Sequence, residues 1–159
     1  MSDAAGPDIP TIFGMLKRGF RDAVPHNFAL GIELVEVDIA KATMKLPYDL
    51  RFVGDPETGV LHGGVITTLI DATCGAAVFA ELRAAIAIAT LDLRIDYLKP
   101  ATPGLAVVCR AECYKRTRNV AFARALAYHE DSNDPIASAA GTFMLGTKGS
   151  AIPSLKSKP

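Results

Sequence analysis

Thiolate and imidazole ligands are few in this chain of 159 residues, three cysteines and three histidines, and neither set has ligand spacing. Cys109 and Cys113 lie on one face of an expected strand, but no second Cys or His pair completes a zinc site. His26, His62 and His129 are far apart in sequence, so no metal is expected. An odd number of cysteines, in a chain that reads as intracellular, implies no disulfide framework and leaves buried thiols as the plain reading. Net charge is also missing: Lys plus Arg and Asp plus Glu number 17 each. No field of one sign draws the chain to nucleic acid or to an anionic membrane. The first residues, MSDAAGPDIP, have neither a basic n-region nor an apolar h-region. They do not read as a secretory signal, and a cytoplasmic protein is expected.

What is present is a globular composition, 50% hydrophobic and 21% charged, of a length that suits one domain. Its most informative stretch lies between His62 and Glu81, where Asp71 is the only formal charge. A carboxylate amid an apolar, helix-length segment is costly unless something uses it. The segment is nearly long enough to span a membrane, but Asp71 near its centre would cost about 2.5–3.5 kcal/mol on insertion scales. A helix buried in protein, with a buried acid on it, is the expectation. His62-Gly63-Gly64 leads into it, and glycines ahead of a helix leave backbone N–H groups open to an anion or a polarised carbonyl. Lipase-type esterases also carry an HGG oxyanion motif, but here no G-x-S-x-G elbow and no βαβ pattern accompany it.

The remaining elements follow from periodicity. Ile12, Phe13, Leu16 and Phe20 have helical spacing over residues 11 to 24, a helix that Pro25 stops. Residues 31 to 37 and 41 to 47 read as a hairpin, with Ala42, Met44 and Leu46 alternating against Lys41, Thr43 and Lys45. Residues 48 to 61, rich in turn formers, read as a loop. Residues 88 to 97 alternate strictly, placing Leu91, Leu93, Ile95 and Tyr97 on one face and Thr90, Asp92, Arg94 and Asp96 on the other. Three more strands follow at 105 to 114, 119 to 130 and 135 to 145, joined by short antiparallel connections. Ala121, Ala123, Ala125 and Ala127 form a small-residue face that lets a helix approach closely. The order describes an α+β fold in which an antiparallel sheet curls round the central helix.

Residues Thr58 to Asp71, containing His62-Gly63-Gly64, followed by Leu91 to Pro100 with its Tyr97-x-x-Pro100 ending, resemble the PaaI-like acyl-CoA thioesterases of the hotdog superfamily. The resemblance covers residues 28 to 146. It implies a hotdog fold, one long helix wrapped by about six antiparallel strands, with a domain over residues 28–147. Residues 1–27 form an N-terminal segment with a short helix, and the tail 148–159 is expected to be mobile. It also implies a homodimer or dimer of dimers whose active site lies where two subunits meet. The 88 to 97 strand would lie at the sheet edge and pair with its copy.

The activity implied is hydrolysis of an acyl-CoA, with no cofactor because coenzyme A is part of the substrate. By resemblance the Gly63 backbone N–H holds the thioester oxygen, helped by the helix dipole. Asp71 is a nucleophile or a general base. Thr90 matches a hydroxyl that orients the attacking water in some members, and is otherwise an ordinary strand threonine. His62 is implied to orient the loop and the glycines, Gly64 among them, through a hydrogen bond. The family often places Asn or Gln in the loop before the HGG. Asp55 stands there instead, a departure whose plain reading is a turn initiator. Arg116, Arg118 and Asn119 match a turn that meets the nucleotide end of coenzyme A, and Lys99 is a further cationic candidate. Val53 and Leu61, with Phe13 and Val78, are candidates for the acyl pocket. Two alternatives share the fold: a non-catalytic acyl-CoA-binding hotdog protein, and a hotdog hydratase or dehydratase. The latter needs an Asp and His pair that this helix does not offer after residue 62.

Overall fold

In a computed structural model that describes residues 6–84 and 86–146, a six-stranded antiparallel sheet wraps one long helix. The chain begins with α1 (Ile9–Leu16), capped by the Asp8 carboxylate, which accepts from the Thr11 N–H at 3.0 Å. A π-helical turn follows at Lys17–Asp22, then α2 (Pro25–Ala29). Pro25 therefore ends one helical segment and opens another, because the fixed φ of proline suits a first helical position.

Strands β1 (Glu33–Asp38) and β2 (Lys41–Leu46) form the expected hairpin, with Ala42, Met44 and Leu46 buried. The expected 48 to 61 loop contains more structure than its turn formers indicate: a 3-10 turn at Leu50–Phe52 and two short paired strands, β3 (Val53–Asp55) and β4 (Val60–Leu61). The long helix α3 (Gly63–Leu82) follows, then β5 (Ile88–Tyr97), β6 (Val107–Arg116), β7 (Val120–Tyr128) and β8 (Ala137–Leu145). The strand order is β1-β2-β6-β7-β8-β5, so β5 lies at one edge. The tail from Lys148 lies outside the described residues.

Eleven residues of α3 are buried, among them every position from Ala72 to Val78. The helix is long and apolar enough to cross a membrane, yet it is enclosed by the sheet as a core helix. Ala121, Ala123, Ala125 and Ala127 all face it and are buried, and Ala137, Ala139 and Gly141 continue that inner surface on β8. Small side chains on both surfaces bring backbone close to backbone.

The three thiols are buried and unpaired. Burial pushes the Cys109 thiol up to about 12 and raises Cys74 well above its ordinary value, with Cys113 raised in the same way. Thiolate is the reactive form, so these groups are inert at neutral pH. An aromatic disulfide reagent should find no fast-reacting cysteine in the folded protein and three after denaturation. A rapid native reaction would contradict this packing.

Candidate active site

The start of α3 is organised by His62. Its ring Nδ1 accepts the Gly64 N–H at 2.9 Å, and its carbonyl accepts the Val65 N–H at 3.1 Å. An accepting Nδ1 carries no proton, so the imidazole caps the helix with its proton, when neutral, on Nε2. Gly64 therefore gives its amide to the cap. The Gly63 N–H meets no protein acceptor among the described residues. Gly63 is pinned from its other side, for the Tyr97 hydroxyl donates to its carbonyl at 2.7 Å and lies 2.9 Å from the Thr67 hydroxyl. A Cβ at Gly63 would stand 3.3 Å from that phenolic oxygen.

Two turns along α3, Asp71 accepts a hydrogen bond from the Thr90 hydroxyl at 2.9 Å. Asp71 is half-buried, where a fully buried acid was expected. The reason is a cavity of about 450 Å³ onto which both side chains open. Its polar wall adds His26, Asn27, Thr67 and Thr68 to Asp71 and Thr90. The rest is apolar: Phe20, Val24, Ala72, Gly75, Ile88 and Phe143. His26 Nε2 lies 3.2 Å from the Thr68 hydroxyl, which ties the N-terminal segment to α3 beside the cavity.

Thr90 reaches Asp71 through an irregularity. Strict alternation places Leu91 inward with Leu93, Ile95 and Tyr97, and Thr90 outward. In β5 the register against β8 skips a residue: Thr90 faces Phe143 and Asp92 faces Thr142. The bulged Leu91 is 53% exposed, and Thr90 shares the inner face with Leu93 and Tyr97.

The other candidates are dispersed. The Asp55 carboxylate accepts from the Thr58 hydroxyl at 2.7 Å and from the Glu57 N–H at 3.0 Å, bonds that hold its pKa below the ordinary value. This is the turn-forming arrangement. Val53 lies in β3 and Leu61 is buried in the core, so neither lines the cavity beside Asp71. Val78 is also fully buried, and Phe13 lines a separate depression with Lys17, Glu33 and Leu34. The π turn rotates the helix phase after Leu16, which places Phe20 and not Phe13 at the cavity. Arg116, Arg118 and Asn119 line a cavity of about 640 Å³ with Leu82 at the far end of α3, and Arg116 is 3.6 Å from Glu81. Lys99 pairs with Asp134. His129 bridges the Ala106 carbonyl and the Thr102 N–H and serves the 99 to 106 connection. Sequence reading missed Tyr97 as a support for Gly63, and His26 and Asn27 as cavity residues. Among the described residues no cluster of His, Cys, Asp and Glu could hold a metal.

One long helix held inside a single curved antiparallel sheet, with an acid and a hydroxyl at a cavity on the helix, is the hotdog arrangement. The sequence profile of the thioesterase superfamily matches residues 58–136, and the chain belongs to this superfamily. It is 32% identical over 136 residues to the medium/long-chain acyl-CoA thioesterase YigI of Salmonella typhimurium, covering 77% of this chain and 86% of that protein. The Escherichia coli YigI is 31% identical over the same length. A crystal structure of a Pseudomonas aeruginosa protein is 44% identical, with TM-score 0.76 over 84% of this chain and 98% of that one. The Escherichia coli PaaI protein of the phenylacetic acid degradation operon, 15% identical with TM-score 0.75 over 87% of this chain and 96% of that one, shares the fold.

Proposed function

We propose that this protein hydrolyses acyl-CoA thioesters, with Asp71 as general base and the Gly63 N–H as the donor to the thioester oxygen. The observation that carries the proposal is the Asp71 and Thr90 pair opening on a largely apolar cavity. The name of YigI supports the same substrate class. Thr90 donates to one Asp71 oxygen and keeps its own lone pairs, so a water can give one hydrogen to Asp71 and the other to Thr90. Asp71 takes the water's proton as its oxygen bonds to the carbonyl carbon. The carbon–sulfur bond then breaks, and coenzyme A leaves as the thiolate.

Thiol release from acyl-CoA tests the proposal, and binding without release would favour the non-catalytic alternative. A single turnover with enzyme in excess, run in ¹⁸O-labelled water, tests for direct attack. A general base puts the label into the first acid released. An unlabelled first acid with the label left on Asp71 would require an acyl–Asp71 anhydride opened at the Asp71 carboxyl carbon, and would overturn the general-base role.

Gly63 and Asp71 lie eight residues apart on one helix, about 12 Å along its axis, which is too far for both to touch one carbonyl. The site therefore draws Gly63 from one copy and Asp71 with Thr90 from another, making the protein at least a dimer through β5. Residues 28–147 would form the hotdog domain. Arg116, Arg118 and Asn119 remain the candidates for the coenzyme A phosphates, and Lys99, Asp55, Val53 and Leu61 have weaker claims on the substrate. Free buried thiols suit a reducing compartment, consistent with the cytoplasm.

A further inference from the structure

We infer that Phe20, seated on Gly75 and held by Asn27, closes the inner end of the Asp71 cavity and sets the longest acyl chain the protein accepts. The inference rests on the thioesterase reading of that cavity. Gly75 follows Asp71 by one helical turn, on the same face of α3 and about 6 Å further from Gly63. A chain leaving a carbonyl at Asp71 along this wall meets Gly75 next. There the missing side chain is occupied by Phe20: a Cβ at position 75 would stand 3.0 Å from Phe20 Cε1 and 3.7 Å from Ile88 Cδ1. Behind Phe20, the Phe79 ring packs edge-on with centroids 6.1 Å apart. Ring, glycine and backing ring form a wall across the apolar end.

The wall is fixed by a buried side-chain hydrogen bond. In a π turn each carbonyl accepts from the residue five positions on, as the Arg18 carbonyl does from the Ala23 N–H at 2.8 Å. For Phe20 that residue is Pro25, which has no N–H. The Asn27 side-chain amide supplies the missing donor at 2.6 Å. Asn27 is only 6% exposed, and it and Thr73 are the buried polar residues among those described. A buried amide committed to this carbonyl holds Phe20 against Gly75, which makes Asn27 a positioning residue for the wall.

The test compares octanoyl-CoA and palmitoyl-CoA by kcat/KM, together with the affinities of the corresponding octyl- and hexadecyl-CoA thioethers, which are not hydrolysed. A single methylene against an apolar wall changes kcat/KM by roughly 10–200-fold. Phe20→Ala should raise the long-to-short ratio at least about tenfold, and Phe20→Leu should do so in smaller measure. Gly75→Ala sets a Cβ 3.0 Å from Phe20 Cε1, crowds the ring out towards the cavity and should lower the ratio by a similar factor. Asn27→Ala should shift it in the same direction as Phe20→Ala, which a loss of fold stability alone would not do. The thioether affinities should follow the same order. Ratios unchanged within about twofold in Phe20→Ala and Gly75→Ala, for turnover and thioether binding alike, would overturn the inference. A wild type that releases no thiol while its thioether ratios shift as described would remove the thioesterase reading and leave the chain stop standing.

Discussion

Asp71→Asn should lower kcat for acyl-CoA hydrolysis by about 10²–10⁴-fold, the range that a positioned general base contributes. Substrate affinity should change little. The substitution preserves shape: the asparagine carbonyl oxygen can still accept the Thr90 hydroxyl now 2.9 Å from Asp71. What disappears is the group that removes the water's proton. Because Asp71 sits half-buried at a cavity wall, outside the sealed core, the folded protein should tolerate the change, as circular dichroism and a thermal melt would verify. Residual turnover would measure what the Gly63 amide and the bound geometry still supply. Unchanged kcat would remove Asp71 from the chemistry and return the cavity to a binding role.

The central helix was legible because an apolar run of helical length opening on His62-Gly63-Gly64 has few other solutions. The inner face of β7 was equally plain, since alternating alanines must face something that approaches closely. The site was legible only through the resemblance, and its supporting geometry was hidden in departures from regularity. A β-bulge leaves no mark in an alternating pattern: Leu91 reads as core, and only pairing with Phe143 and Thr142 reveals that it is skipped and that Thr90 turns inward. The π turn is hidden in the same way. Phe13 and Phe20 share a face on an uninterrupted helix, and the extra residue per turn separates them. Tyr97 could have been flagged from its place in Tyr-x-x-Pro, but its bond to the Gly63 carbonyl joins residues 34 apart and depends on the whole sheet.

Mixing two inactive variants should restore activity. Tyr97 touches Gly63 and Thr90 touches Asp71, so the two ends of β5 run beside the two halves of the site. β5 is an edge strand, and Leu91 and Tyr97 on it are 53% and 48% exposed. β5 is also where the proposed dimer would form: antiparallel pairing of two β5 strands about their middle, near Leu93 and Arg94, would cover this edge and set Tyr97 of one copy against Thr90 of the other. The same twofold would bring Gly63 of one chain towards Asp71 of its partner, closing the gap of about 12 Å that one helix imposes. Gly63→Val crowds Tyr97 and blocks the carbonyl's approach, while Asp71→Asn removes the base, so each pure dimer should be inactive. A mixed dimer has one site with both lesions and one with neither. After denaturation and refolding of an equal mixture, half the dimers are mixed and each has one working site in two, which gives about a quarter of wild-type activity. Recovery near that level requires the site to be shared. No recovery from a refolded, dimeric mixture would mean that Gly63 and Asp71 do not serve one carbonyl, and the role assigned to the Gly63 amide would fall.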